Sequence, residues 1–398
     1  MGKELTIAQK SFVKRDLMDI LMEPKVCGIL SIETHLDEIT KMIHENICAQ
    51  LECSPTTEQV KDEVNVLIRR IMKSKSIFRD IARIKQARYF ETNHNIKEFA
   101  TVTRKPRGYV KPAEFYIECL LKWEDAKDGV IFYKQYRRQI LHEIEHLKHE
   151  RLYAPSGMMM THTLRSEHIP WNLFYPMTLT SESKEMAKGL FNEILKKASS
   201  SSSLIDEIVS IKIEYAPENR ENYLGDGTSF DTYVEYLAED GQLGGIGIEV
   251  KYTEEGYRPG DKERKEAILE HKNHLYWKVM KESNYYVPEA DNGNDGADWS
   301  PLVKDDLRQI WRNHLLGAAM LQNKDIAHFL SMHLYPSGNT HFHGKTGACS
   351  KYTKWLSEDG QKTWIAVTFE ELFQLIRNYF PKKEHQYWVS YLESRYIY

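Results

Sequence analysis

The rhythm of apolar and polar positions changes once along this chain. Over roughly the first 150 residues apolar side chains recur at intervals of three and four. In TEQVKDEVNVLIRRIMKSKSIFRDIARI, for example, Val60, Val64, Leu67, Ile71 and Phe78 fall at that spacing. The pattern predicts mainly helices. A break at Thr101–Lys111 (TVTRKPRGYVK) gathers Pro106, Gly108 and several basic residues, and predicts a turn or wing. A second break at Ala154–Gly157 marks the expected boundary between a mainly α-helical domain, 1–155, and a second domain, 156–398.

From about Ser181 the elements alternate. SESKEMAKGLFNEILKKA predicts a helix with Ser181 as its cap and Ser199–Ser203 as a low-complexity exit. Ile208–Ala216 predicts a strand. Phe230–Glu254 (FDTYVEYLAEDGQLGGIGIEVKYTE) predicts two more, joined by a Gly-rich hairpin turn. KDDLRQIWRNHLLGAAMLQ predicts a helix with an apolar stripe of Leu307, Trp311, Leu315 and Ala318. Ala327–Pro336 predicts another strand, and TWIAVTFEEL a strand passing into a helix. The order is helix, strand, strand, strand, helix, strand.

Side chains alternate across a strand, so Glu249 and Lys251 project together while Ile248, Val250 and Tyr252 point the other way. By the same rule Asp231, Tyr233 and Glu235 share one face, and Phe230, Thr232, Val234 and Tyr236 the other. If the two runs pair, two carboxylates and an ammonium meet at one point. That is the minimum equipment for metal-assisted phosphodiester hydrolysis. Magnesium takes oxygen ligands, with manganese as a substitute, and Asp231, Glu249 and the backbone carbonyl of Val250 supply three. Lys251 then orients or deprotonates the attacking water, or acts as a fixed charge. Glu214, Glu235 and Glu254 are further acids for a second metal or a water.

Asp231 followed by Glu249-x-Lys251, in this order of elements, resembles the PD-(D/E)xK signature. GIGIEVKYTE and RQIWRNHLL are similar to stretches of bacterial proteins classed as restriction-type nucleases of that superfamily. The resemblance covers roughly 166–398. It implies an α/β fold, a restriction-endonuclease-like αβββαβ core with a mixed sheet, behind the mainly helical N-terminal domain. Phe230 stands where the signature has Pro. Gln309 and Arg312 resemble the helix after the motif strand, but Asn313 stands where the Gln-x-x-x-Tyr pattern of some relatives has Tyr. Glu167 matches an upstream carboxylate that some relatives use. The implied activity is an endonuclease cutting DNA, with RNA as the alternative, to leave 5′-phosphate. Restriction or defence is the implied setting, with a homodimer for double-strand cutting and partner proteins of a defence system.

Other motifs compete. His142-Glu143-Ile144-Glu145-His146 is a literal HExxH, which on a helix sets two imidazoles one turn apart for zinc, Glu143 as base and His149 or Glu150 as third ligand. A zinc metallopeptidase is therefore the alternative function. Against it, RRQILHEIEHLKHER reads as an exposed charged helix laced with pairs such as Glu145–His149. His341-x-His343, with His328 and His333, is either a metal cluster or a set of ordinary surface histidines. Arg104, Lys105, Arg107 and Lys111, with Tyr109 interleaved, suit phosphates and a stacked base, or are a solvated turn. A third reading is a catalytically silent nucleic-acid-binding protein. Intact Asp231, Glu249 and Lys251 speak against it.

Composition narrows the setting. With 398 residues, 41% of them apolar, there is material for two or three domains with real cores. Residues 61–150 hold 20 Lys and Arg against 13 Asp and Glu, a local +7 in a chain of net charge −4, which points weakly to a polyanion. Five scattered cysteines without a C-x-x-C pair argue against a disulfide framework and for a reducing, cytoplasmic location. MGKELTIAQKSFVKRDL lacks the apolar core of a signal peptide, and no 18-residue apolar run offers a membrane span.

Overall fold

The computed structural model describes residues 5–22, 36–50, 55–73, 77–104, 113–116, 119–198, 203–256, 275–291, 300–303 and 306–398. They fall into two compact units, Met1–Lys127 with Thr161–Leu164 and Tyr398, and Asp128–Met160 with Arg165–Ile397.

The first unit is built from helices α1 (Ile7–Met22), α2 (Leu36–Gln50), α3 (Thr57–Lys73) and α4 (Ile77–His94). The three-and-four spacing explains the packing: Val13, Leu17, Ile43, Ile47, Val60, Val64 and Leu67 form one buried cluster. Two matching capping boxes start α1 and α3. Thr6 and Gln9 exchange backbone-to-side-chain bonds at 2.8 and 3.2 Å, and Thr56 and Gln59 do so at 2.7 and 3.3 Å. The predicted wing is flanked by β1 (Thr101–Arg104) and β2 (Ala113–Tyr116), an antiparallel pair. Lys105, Arg107, Tyr109, Lys111 and the side chain of Arg104 lie outside the described residues.

The second unit contains α5 (Arg137–His149), α6 (Ile169–Leu173), α7 (Ser181–Lys197), β3 (Ile205–Tyr215), β4 (Phe230–Ala238), β5 (Leu243–Val250), α8 (Leu275–Ser283), α9 (Arg308–Gln322), β6 (His328–Tyr335), β7 (Trp364–Thr368), α10 (Phe369–Tyr379) and α11 (Lys383–Tyr396). The sheet order is β3-β4-β5-β6-β7. The first three strands are antiparallel neighbours, while β5, β6 and β7 run parallel. This is the expected α/β class with a mixed sheet, and β7 adds a strand beyond β6. A parallel neighbour requires a crossover, and α9 is the helix that packs on β5 and β6. Phe230, Tyr233 and Phe329 lie in the cluster beneath α9. Ile246, Ile248, Leu330 and Met332 are equally buried, and strand alternation turns them to the other face. Such double coverage is why β5 and β6 read as near-continuous apolar runs.

Several local expectations are corrected. The cap of α7 is Thr180, whose hydroxyl accepts from the backbone of Ser183 at 2.9 Å, and Ser181 is the first helical residue. The strand expected from Ile208 begins at Ile205. The apolar stripe expected on α9 understates it, because Asn313, His314 and Gly317 are buried as well. The turn proper is Glu239–Gln242, with Gly241 at φ 78°. Gly244, Gly245 and Gly247 instead lie inside β5, where any Cβ would collide with the rings of Tyr236, Tyr233 and Phe230. Among the described residues no helix is long and apolar enough to cross a membrane.

Gly317 lets α9 lie directly against the ring of Phe329, since a Cβ there would overlap it. Gly317→Ala gains about 1 kcal/mol of helix propensity. Overpacking against that ring is expected to outweigh the gain, with a net loss of about 1–3 kcal/mol in urea unfolding. A neutral or stabilised variant would contradict the close contact.

Candidate active site

Three neighbouring strands end at one point. The β4–β5 ladder runs only from Thr232↔Ile248 to Leu237↔Leu243. Beyond it the Val250 amide donates to the Asp231 carboxylate at 2.6 Å, so a side chain replaces the next backbone partner. Here the predicted alternation fails at its first position: Phe230 shares the α9 side with Tyr233, their rings stacked at 5.7 Å.

Glu249 and Lys251 share a face, as expected, and touch at 2.5 Å between Oε1 and Nζ. Both are nearly buried, at 4% and 8% exposure. On the α9 side Gln309 donates to Glu249 Oε1 at 2.5 Å and Asn313 donates to Oε2. Gln309 was legible as a candidate; Asn313 was visible only as a departure from a tyrosine pattern. The available signal was its spacing of four from Gln309, which sets two amides on one helical face.

Glu214 joins from β3, between the register pairs Ile213↔Thr232 and Tyr215↔Phe230 that bracket Asp231. Its φ of 55° is left-handed, which costs a non-glycine residue about 1 kcal/mol or more and is a strain of the kind held at functional sites. Burial first, then the charges of Glu249 and Glu167, push its carboxyl up to about 8, against the pull of Lys251. Burial, Glu249 and Glu214 hold Asp231 well above the usual carboxylate range, although Lys251 and the Val250 amide oppose them. For Lys251 burial acts to lower the pKa, but Glu249, Asp231 and Glu254 together outweigh it and the net direction is up. With these carboxylates around it, Lys251 is held in its charged form.

The remaining expected acids divide. Glu254 accepts from Ser166 N at 3.0 Å and from Tyr252 N at 2.8 Å, fastening the chain just past Lys251. Glu167 accepts from Ser156 N and Oγ at 2.6 and 2.5 Å and from Tyr153 at 3.3 Å, within electrostatic reach of Glu214. Glu235 is not at the site: it pairs with Lys212 at 3.0 Å, farther along β4. Arg312 acts electrostatically on Tyr276, whose hydroxyl donates to Asp226.

The histidines do not gather into a metal site. His328 pairs with Asp240 at 2.7 Å at the start of β6. His333, expected on the surface, is 2% exposed, opposite Glu249 in register, with its Nε2 unpartnered. His341 is half-buried and His343 exposed. On α5, His142 and His146 are both exposed, Glu145 pairs with Lys148 at 2.8 Å, and His149 turns to Glu150 at 3.1 Å instead of Glu145. Among the described residues no three His, Cys, Asp or Glu side chains already stand in ligand geometry, the strand-end acids included, and with His142 and His146 exposed the peptidase motif lies on a solvated helix surface.

At the strand ends the cation question turns on donor type and charge. Asp231, Glu249 and Glu214 with the Val250 carbonyl are all hard oxygen donors, the kind magnesium and manganese prefer. Fully ionised, three carboxylates beside one ammonium carry two negative charges in a poorly hydrated place. A divalent cation matches that charge, and protons on Asp231 and Glu214 are the substitute. The residues therefore fit such an ion.

A family model described as the PD-(D/E)XK nuclease superfamily matches residues 73–398. No curated protein and no solved structure matches the chain.

Glu214 and Asp231 have folded pKa values above their unfolded ones, so the stability of the protonated forms is present below about pH 4 and lost as pH rises through the folded values, which for Glu214 is about 8. Magnesium or manganese competes with those protons. Either is expected to raise the melting temperature by about 5 °C at roughly pH 8.5 and by clearly less at roughly pH 6. Glu214→Gln should lessen both the pH-dependent loss and the metal-induced rise. A metal effect that ignores pH would contradict the shared-charge account.

Proposed function

The chain belongs to the PD-(D/E)XK nuclease superfamily, and from that premise we propose that it is a magnesium-dependent endonuclease of DNA centred on Asp231, Glu249 and Lys251. The observation that carries this reading is the meeting of Asp231, from the start of β4, with Glu249 and Lys251, from the end of β5, in one charge cluster whose Glu249 and Lys251 are buried.

Asp231, Glu249 and the carbonyl of Val250 are the residues to hold the ion, with Glu214 as an additional acid. A bound magnesium ion supplies a water of lowered pKa and neutralises charge that develops on the phosphoryl oxygens. The protein's part is positional. In a strand the N–H and C=O of one residue point to the same side, so the Val250 carbonyl lies on the side where its amide meets Asp231. Gln309 and Asn313 fix the orientation of the Glu249 carboxylate, whose oxygens keep further lone pairs for a cation. Lys251, raised and charged, is suited to orient the attacking water and to stabilise the pentavalent transition state. In this role it is a preorganised cation, and a proton acceptor only after the neighbouring acids are neutralised.

DNA is the substrate class that the superfamily resemblance favours, and restriction or defence against foreign DNA is the setting it suggests. Cutting both strands with one such centre per chain calls for two copies or two events.

Supercoiled and linear DNA incubated with magnesium or manganese should be nicked or cut by the wild type, and not once the ions are chelated. Asp231→Ala and Lys251→Ala should each lower the rate by about a hundredfold or more. Equal cleavage by wild type and both variants would place the activity elsewhere.

A further inference from the structure

We propose that Leu152 and Met158 form an apolar wedge that enters the base stack of the nucleic acid beside the cleaving centre. The proposal rests on the nuclease reading above and adds a substrate-shaping surface to it.

The turn after α5 is built firmly. Arg151 takes a left-handed conformation at φ 59°, and the amides of Leu152 and Tyr153 both donate to the Leu147 carbonyl, at 2.9 and 3.3 Å. Tyr153 points inward, its hydroxyl on Met159 Sδ at 3.1 Å and its ring 5.8 Å from that of Trp171. Ser156 is clamped by the Glu167 carboxylate and by Arg165, whose Nη1 donates to Ser156 Oγ at 3.1 Å. Within this frame Tyr153 and Met159 are buried, yet Leu152 is 66% and Met158 45% exposed. Two large apolar side chains are thus held out to solvent by a turn whose own anchors face in.

Its position gives that exposure a use. Glu167 follows Ser166, whose amide donates to Glu254, and Glu254 also takes the Tyr252 amide next to Lys251. Tyr153 and Glu167 lie within electrostatic reach of Glu214. The turn is therefore fastened to the rim of the charge cluster. A nucleic acid offers there what this surface can meet, apolar base faces flanked by phosphates. Leu and Met are among the side chains that wedge between base steps, and exposed Arg151 with half-buried Arg165 can hold the adjoining phosphates. Glu150, the nearest opposing charge in sequence, turns back to His149. Unstacking one step would let the strand bend so that a phosphate reaches the recessed Asp231–Lys251 cluster.

The test uses full-length protein carrying Lys251→Ala, which leaves DNA intact, and duplexes with 2-aminopurine at successive positions. Fluorescence should rise several-fold at one step on binding. Adding Leu152→Ala and Met158→Ala should abolish the rise and weaken duplex binding about tenfold, with less than about a twofold change for single strands, which need no unstacking. Both side chains are exposed, so folding and the magnesium-induced melting shift should stay as they are. A fluorescence rise that survives the double substitution overturns the wedge, and so does an equal loss on single and double strands. A switch from dimer to monomer with fluorescence unchanged would make the patch a contact between copies. Absence of metal-dependent cleavage by the wild type would instead remove the nuclease reading, and the wedge with it.

Discussion

Charge buried at the ends of three adjacent strands is the constraint on which this structure turns. Buried Glu249 and half-buried Asp231 and Glu214 converge there, and Lys251 offsets only one of them. Isolated, such a cluster is costly to keep ionised, so the carboxyls of Glu214 and Asp231 are pushed towards their protonated forms. The crowding that pushes these acids towards protonation also favours a cation, because either relieves the same repulsion. The attraction of the same acids keeps Lys251 charged, and Glu214 takes its left-handed backbone conformation at this point.

The surrounding fold serves that convergence. Antiparallel β4 and β5 set Asp231 beside Val250, and parallel β6 requires the crossover that brings α9 over the sheet. From α9 two amides one turn apart grasp both oxygens of Glu249. Gly317 lets that helix approach closely enough to do so, through the ring of Phe329. Loops on the rim, fastened by Glu167 and Glu254, then decide what shape of substrate can approach.

Much of this was legible in the residues. Period-two runs located β4, β5 and β6, and the i, i+2 rule alone placed Glu249 with Lys251. What the sequence did not disclose depended on tertiary company. Alternation breaks at Phe230, whose ring packs with Tyr233, and Asp231 meets the Val250 amide at the ends of β4 and β5. Glu235 obeys alternation yet belongs to Lys212, a partner that register alone determines. Asn313 looked like the loss of a tyrosine until α9 was seen against Glu249. The HExxH helix shows the converse: spacing was right, but among the described residues no third ligand and no burial came with it.

Anomalous diffraction from crystals grown with manganese tests the central claim most directly. The account predicts a peak about 2.1–2.2 Å from oxygens of Asp231, Glu249 and the Val250 carbonyl. A principal peak at His142 and His146, or none among the strand ends at alkaline pH, would contradict it.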